Sequence, residues 1–129
     1  MSEVQIQLKK EGCLAGEIRF THDTQTSVGR IQYVRIAKHL RGNGLGKRLM
    51  NKALEQLDLF GCKEITLSAK PLEVEKTERA AFFQSLDRLI SFYKNFGFEL
   101  TQATDETYPY PNDRMIKKLT GSALVVHHD

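Results

Sequence analysis

The sequence predicts a mixed α/β (α+β) fold with elements in the order β-β-β-α-β-α-β-β, and three patterns carry that reading. Apolar and polar residues alternate in the first third of the chain, the period of two of half-buried strands. The period then becomes that of a helix, once from Leu45 to Phe60 and again from Phe82 to Phe96. Each helical stretch is followed by a glycine, Gly61 or Gly97, which suits a left-handed helix end.

Taken in order, Val4, Ile6 and Leu8 alternate with Gln5, Gln7 and Lys9 to give a first strand, which Gly12 breaks. A second strand runs from Leu14 to Phe20, residues 21–27 form a polar loop, and a third strand runs from Arg30 to Ile36 after Gly29. These three short runs read as an antiparallel meander. Leu45, Leu49, Ala53 and Leu57, with Met50, Leu54 and Phe60 beside them, form the first helix. A strand over residues 64–68 follows and ends before Pro71. Phe82, Leu86, Leu89, Ile90, Tyr93 and Phe96 mark the second helix, which begins between Thr77 and Ser85. Residues 98–101 form a strand, and Pro109 and Pro111 make residues 108–113 a loop. Residues 114–119 give the last strand. The expected organisation is one domain over residues 1–120 and a C-terminal tail over 121–129.

Bulk properties exclude several function classes. A chain of 129 residues is the size of one domain. No apolar run approaches the roughly 20 residues that span a bilayer, and residues 1–10 lack the apolar core of a secretory signal. A cytoplasmic protein without membrane contact is expected. The net charge of +3 suits an anionic ligand and falls short of a dedicated nucleic-acid binder. Cys13 and Cys62 are far apart and form no CxxC pair, so both are read as reduced, small apolar residues. His127, His128 and Asp129 lie together in the tail and are read as part of it, with no metal site expected.

The concentrated signal is Arg41-Gly42-Asn43-Gly44-Leu45-Gly46-Lys47-Arg48, between the third strand and the first helix. Glycines let backbone N–H groups approach a ligand closely. The first helical N–H groups have no partner within the helix, and the macrodipole adds partial positive charge there. Arg41, Lys47 and Arg48 add formal charge, so the turn suits a phosphate or pyrophosphate. A Walker A loop fails, because Arg41 stands where its first glycine belongs and Arg48 where Ser or Thr would hold magnesium. A dinucleotide G-x-G-x-x-G also fails, since its third glycine would fall at Lys47.

The segment Arg41-Gly42-Asn43-Gly44-Leu45-Gly46 resembles the Q/R-x-x-G-x-G/A turn of the GCN5-related N-acetyltransferase (GNAT) superfamily. Val34-Arg35-Ile36 is similar to the strand that leads into that turn, and residues 92–98 to its L-Y-x-x-x-G-F segment. Met115-Ile116-Lys117-Lys118-Leu119 is similar to a closing M-x-K-x-L strand. The resemblance implies a GNAT-like mixed sheet, splayed to admit a pantetheine arm, and an acetyl-CoA-dependent N-acyltransferase. It implies that Val34 and Ile36 offer backbone groups to that arm and that Arg41, Gly42, Asn43, Gly44, Leu45, Gly46 and Lys47 hold the pyrophosphate. It implies that Tyr93 protonates the departing thiolate.

The chain also departs from the family pattern. Leu86 occupies the position, seven residues before Tyr93, where the family often has Asn. Residues 70–85 form a longer link than usual, with Glu73, Glu75 and Glu78 expected near the active-site edge. The usual N-terminal strand and helix pair are expected to be absent, leaving the acceptor side open, to be closed by a second copy or a large substrate. The acceptor is a primary amine on a protein, peptide or small molecule. A lysine-like amine is neutral in only about one molecule in two thousand at pH 7, so a base is wanted. Glu17, His22, Asp23 and Glu73 are the candidates, because no carboxylate lies on the third strand. Tyr108 and Tyr110 either line the acceptor mouth or flank the turn prolines, and His39 is read as a surface residue. The competing readings are a non-catalytic acyl-CoA sensor or accessory protein on the same fold and a nucleotide or nucleic-acid binder that uses the basic turn.

Overall fold

The computed structural model describes residues 2–69, 79–101 and 114–119. Its elements are β1 (Ser2–Lys10), β2 (Cys13–Asp23), β3 (Val28–Ile36), a 3-10 turn (Lys38–Leu40), α1 (Leu45–Leu59), β4 (Glu64–Ser68), α2 (Arg79–Lys94), β5 (Glu99–Leu100) and β6 (Arg114–Lys118). The order is the expected one, and the fold is mixed α/β. Among the described residues no helix is long and apolar enough to cross a membrane.

The chain forms two compact units whose boundary falls inside β4, with residues 1–65 and 119–129 in the first and 66–118 in the second. In the first unit β1, β2 and β3 lie side by side, with the start of β4 next to β3. The β1–β2 hairpin closes on a two-residue turn in which Glu11 (φ 52) and Gly12 (φ 80) are both left-handed, the backbone that matches strand twist. The expected strands Leu14–Phe20 and Arg30–Ile36 are longer than their patterns suggested. β2 continues through Asp23, and Thr21, expected in a loop, is buried in the strand. The connection is then a four-residue turn, in which the Asp23 carboxylate accepts from the Gln25 amide at 2.9 Å and the Ser27 amide bonds the Asp23 carbonyl at 2.9 Å.

The β2–β3 register shifts once. Tyr33 stands opposite Arg19 but Ile31 opposite Phe20, which leaves Gln32 as an extra residue. Opposed residues share a face, so the bulge turns Gly29, Ile31, Val34 and Ile36 all to the face of Gly16, Ile18, Phe20 and His22. α1 covers this face with Leu49, Met50, Ala53 and Leu57, which are all buried. Two glycines set the approach distance. A β-carbon on Gly29 would lie 2.8 Å from a methyl of Leu57, and one on Gly16 would lie 2.6 Å from Ile36 Cδ1 and 3.3 Å from a methyl of Leu49.

In the second unit β6 lies between the rest of β4 and β5. Leu67, Leu86, Tyr93, Phe98 and Met115 are buried there. β5 spans only Glu99 and Leu100 of the strand expected over residues 98–101. Glu73, Glu75, Glu78, Tyr108, Tyr110 and the 121–129 tail lie outside the described residues.

Candidate functional site

The glycine turn leaves the end of β3 through the 3-10 turn and enters α1. Gly42 (φ +87) and Gly44 (φ +77) are both left-handed, a backbone that β-carbons disfavour. Open space lies where a β-carbon would sit on either one. Gly44 is the N-cap of α1 and brings no capping side chain of its own, and the first turn carries no acidic residue. The first intrahelical bond is from the Arg48 amide to the Gly44 carbonyl, 3.1 Å. The amides of Leu45, Gly46 and Lys47 therefore precede the helical ladder, at the positive end of a 15-residue helix. This donor set, with its cradle clear of β-carbons, fits a pyrophosphate.

Two side chains brace the turn. Arg41 Nε donates to the Ile36 carbonyl at 3.1 Å, and Asn43 Nδ2 donates to the Leu40 carbonyl at 3.0 Å. Arg41 thus ties the turn to the end of β3, a positioning role its charge alone does not reveal. Val34 and Ile36, opposite Ile18 and Gly16, are half-buried on the α1 face. The fold therefore brings Val34, Ile36 and residues 41–47 together in the first unit.

Tyr93 belongs to the second unit, on the last turn of α2. It is 6% exposed, and burial pushes its phenol up to about 12. The motif around it is a helix stop. The Phe98 amide bonds the Tyr93 carbonyl at 3.3 Å and the Gly97 amide bonds the Lys94 carbonyl at 3.0 Å, with Gly97 left-handed at φ +92. These paired bonds and the edge-on contact of Tyr93 with Phe98 (6.2 Å between ring centres) form a Schellman motif. Lys117 completes it by donating to the Phe96 carbonyl at 2.7 Å. The lysine of the closing strand therefore supports the helix end that holds Tyr93, a role the sequence did not disclose.

The remaining candidates divide by their contacts. Glu17 accepts from Gln5 Nε2 at 2.7 Å. Asp23 is occupied in its own turn. His22 stacks on Phe60 with ring centres 4.2 Å apart, and among the described residues its buried Nδ1 has no hydrogen-bond partner. His39 is exposed on the 3-10 turn, as expected. Leu86 is 2% exposed, a packing position. Both cysteines are free. Cys13 is exposed instead of apolar core, while Cys62 is buried, which raises its thiol pKa and keeps it protonated. Among the described residues no cluster of His, Cys, Asp or Glu could hold a metal ion.

One arrangement went unread in the sequence. On the face of the meander opposite α1, the guanidinium groups of Arg35 and Arg19 lie 4.3 and 5.5 Å from the Tyr33 ring centre. The bulge at Gln32 puts Tyr33 opposite Arg19, and no sequence spacing signals a bulge.

Several solved structures share this fold at low identity. An acetyltransferase from Bacillus cereus is 20% identical, with a TM-score of 0.66 over 92% of this chain and 74% of its own. PaiA N-acetyltransferase from Thermoplasma acidophilum, in complex with coenzyme A, is 16% identical, with a TM-score of 0.64 over 91% of this chain and 61% of its own. An aminoglycoside 6'-N-acetyltransferase complexed with coenzyme A is 16% identical, with a TM-score of 0.69 over 90% of this chain and 72% of its own. No curated protein sequence matches the chain. The sequence itself matches the model of the acetyltransferase (GNAT) family over residues 2–98, from the meander through the glycine turn to the tyrosine–glycine segment, and the chain belongs to that family.

Proposed function

We propose that the chain transfers an acetyl group from acetyl-CoA to a primary amine, with residues 1–120 as the acyltransferase domain. The observation that carries this reading is the uncapped α1 N-terminus behind left-handed Gly42 and Gly44. The amides of Leu45, Gly46 and Lys47, with the Gly42–Gly44 backbone, would hold the pyrophosphate. Val34 and Ile36 would offer main-chain groups to the pantetheine arm. The coenzyme A structures among the fold relatives support this reading.

In the reaction the neutral amine nitrogen attacks the thioester carbonyl and gives up one proton to water, the carbon–sulfur bond breaks, and sulfur leaves with its electron pair. Tyr93 directs its hydroxyl proton at that sulfur. With its phenol at about 12 and a thiol near 8.5, complete transfer is uphill by roughly 5 kcal/mol. The contribution of Tyr93 is therefore a hydrogen bond that strengthens as charge grows on sulfur. No carboxylate lies on β3. Of the described candidates for a base, Glu17 and Asp23 are engaged locally.

The acceptor we infer is an amine on a peptide or protein. Among the described residues, 2–36 are strands and tight turns that contribute no α-helix to wall a small-molecule pocket. The test is thioester cleavage with acetyl-CoA against a panel of peptides, proteins, polyamines and aminoglycosides. Turnover concentrated on peptides or proteins supports the proposal, and turnover concentrated on small amines overturns the acceptor class. Tight coenzyme A binding without turnover on any amine would instead favour an acyl-CoA sensor.

A further inference from the structure

β1 stands at the end of the strand order, and among the described residues no strand pairs with its outer edge. It is nine residues long, Ser2-Glu3-Val4-Gln5-Ile6-Gln7-Leu8-Lys9-Lys10, with no proline. Residues 4–8 carry no charge. An edge of that length with an uncharged middle is one that proteins ordinarily protect or pair. Its charges sit only at the ends, Glu3 at one and Lys9 and Lys10 at the other.

We propose that β1 pairs antiparallel with β1 of a second copy of this chain, about a two-fold axis at Ile6. In this register Ile6 faces Ile6, Val4 faces Leu8, Gln5 faces Gln7, Glu3 faces Lys9 and Ser2 faces Lys10. Every apolar pair lies on the α1 side, where Val4, Ile6 and Leu8 are half-buried opposite Phe20, Ile18 and Gly16. The Glu3–Lys9 and Gln5–Gln7 pairs lie on the other face, where all four residues are exposed, and the exposed Ser2–Lys10 pair closes each end of the apolar row. A slip of one residue would set apolar against polar faces. A slip of two removes both Glu3–Lys9 pairs, and parallel pairing would put Glu3 on Glu3. The strand is thus self-complementary in the way a two-fold interface requires. The meanders of two copies then lie side by side in the order β3-β2-β1-β1-β2-β3.

This surface is independent of the acyl-transfer reading, so the two fail separately. The test is sedimentation of the full chain as a function of concentration, with three variants. Glu3 and Lys9 stand opposite Thr21 and Leu14, and among the described residues neither makes an ion pair that charge reversal would break. E3K and K9E each set like charges together twice per dimer and should raise the dimer Kd about tenfold. The double variant E3K/K9E should return to within about threefold of the parent. Mixing E3K with K9E should yield a mixed dimer in preference to either variant alone, because both of its end pairs are then opposite in sign. A parent chain that stays monomeric up to millimolar concentration overturns the proposal. So does a dimer whose Kd neither reversal changes while thermal melts show both variants folded.

Discussion

Lys117 and Gly97 are fitted to one another: a β-carbon on Gly97 would lie 2.6 Å from the Lys117 ammonium, which instead donates to the Phe96 carbonyl at 2.7 Å. Gly97→Ala should cost about 2 kcal/mol, from the left-handed backbone and the displaced lysine. Lys117→Met keeps the stem, loses the hydrogen bond and should cost about 1 kcal/mol. Urea unfolding of both single variants and the double variant should give a double-variant cost below the sum, because the clash needs both side chains. Additive costs would show that the two act separately.

Gly16 and Ile36 make a similar pair in the first unit. Gly16→Ala should overpack the α1 face and cost about 1–3 kcal/mol. Ile36→Val removes the methyl that a β-carbon on Gly16 would meet, so the double variant should recover part of that loss. Thermal melts of the four proteins check the sign of the coupling.

At the turn, Gly44→Val requires a branched residue at φ +77 and fills the open space there. Coenzyme A affinity should fall by about tenfold or more in the folded variant, since backbone strain and occlusion each act against the ligand. Arg41→Ala should weaken binding less, through a looser link to Ile36. Calorimetry that finds unchanged affinity in folded Gly44→Val would remove the pyrophosphate from this turn.

Tyr93→Phe keeps the contact with Phe98 and deletes the hydroxyl. The value of kcat should fall by about 10²-fold with little change in acetyl-CoA affinity. An unchanged kcat, with chemistry shown to limit turnover, would reduce Tyr93 to a packing residue.

The same residue gives stability an alkaline limb. Its native pKa of about 12 lies above the ordinary value of 10, so the folded state holds the proton more tightly. The resulting stabilisation is complete below pH 10 and is lost as pH rises through 12, on the order of 2–3 kcal/mol in all. Denaturant unfolding between pH 9 and 12 should therefore show a shallower loss in Tyr93→Phe than in the parent protein.

Much of this was legible in the chain itself. Periodicity alone placed β1 and α1, and it gave the bounds of β4 correctly, because period and glycine stops are local properties of the backbone. The residues of the glycine turn could be singled out for the same reason, as consecutive positions of one local turn between strand and helix. What the tertiary structure decided was everything that depends on two distant segments meeting. The bulge at Gln32 exists only in the register between β2 and β3, so no count along β3 could show Ile31 and Val34 on one face. Gly16 could be read as a glycine within a strand but not as the space that Ile36 fills. The Tyr93–Gly97–Phe98 segment resembled a family motif, yet its physics is a helix stop completed by Lys117, twenty residues further along the chain than Gly97. Local order is written in the pattern of side chains, whereas contact distance is set by the packing of elements that the pattern does not place.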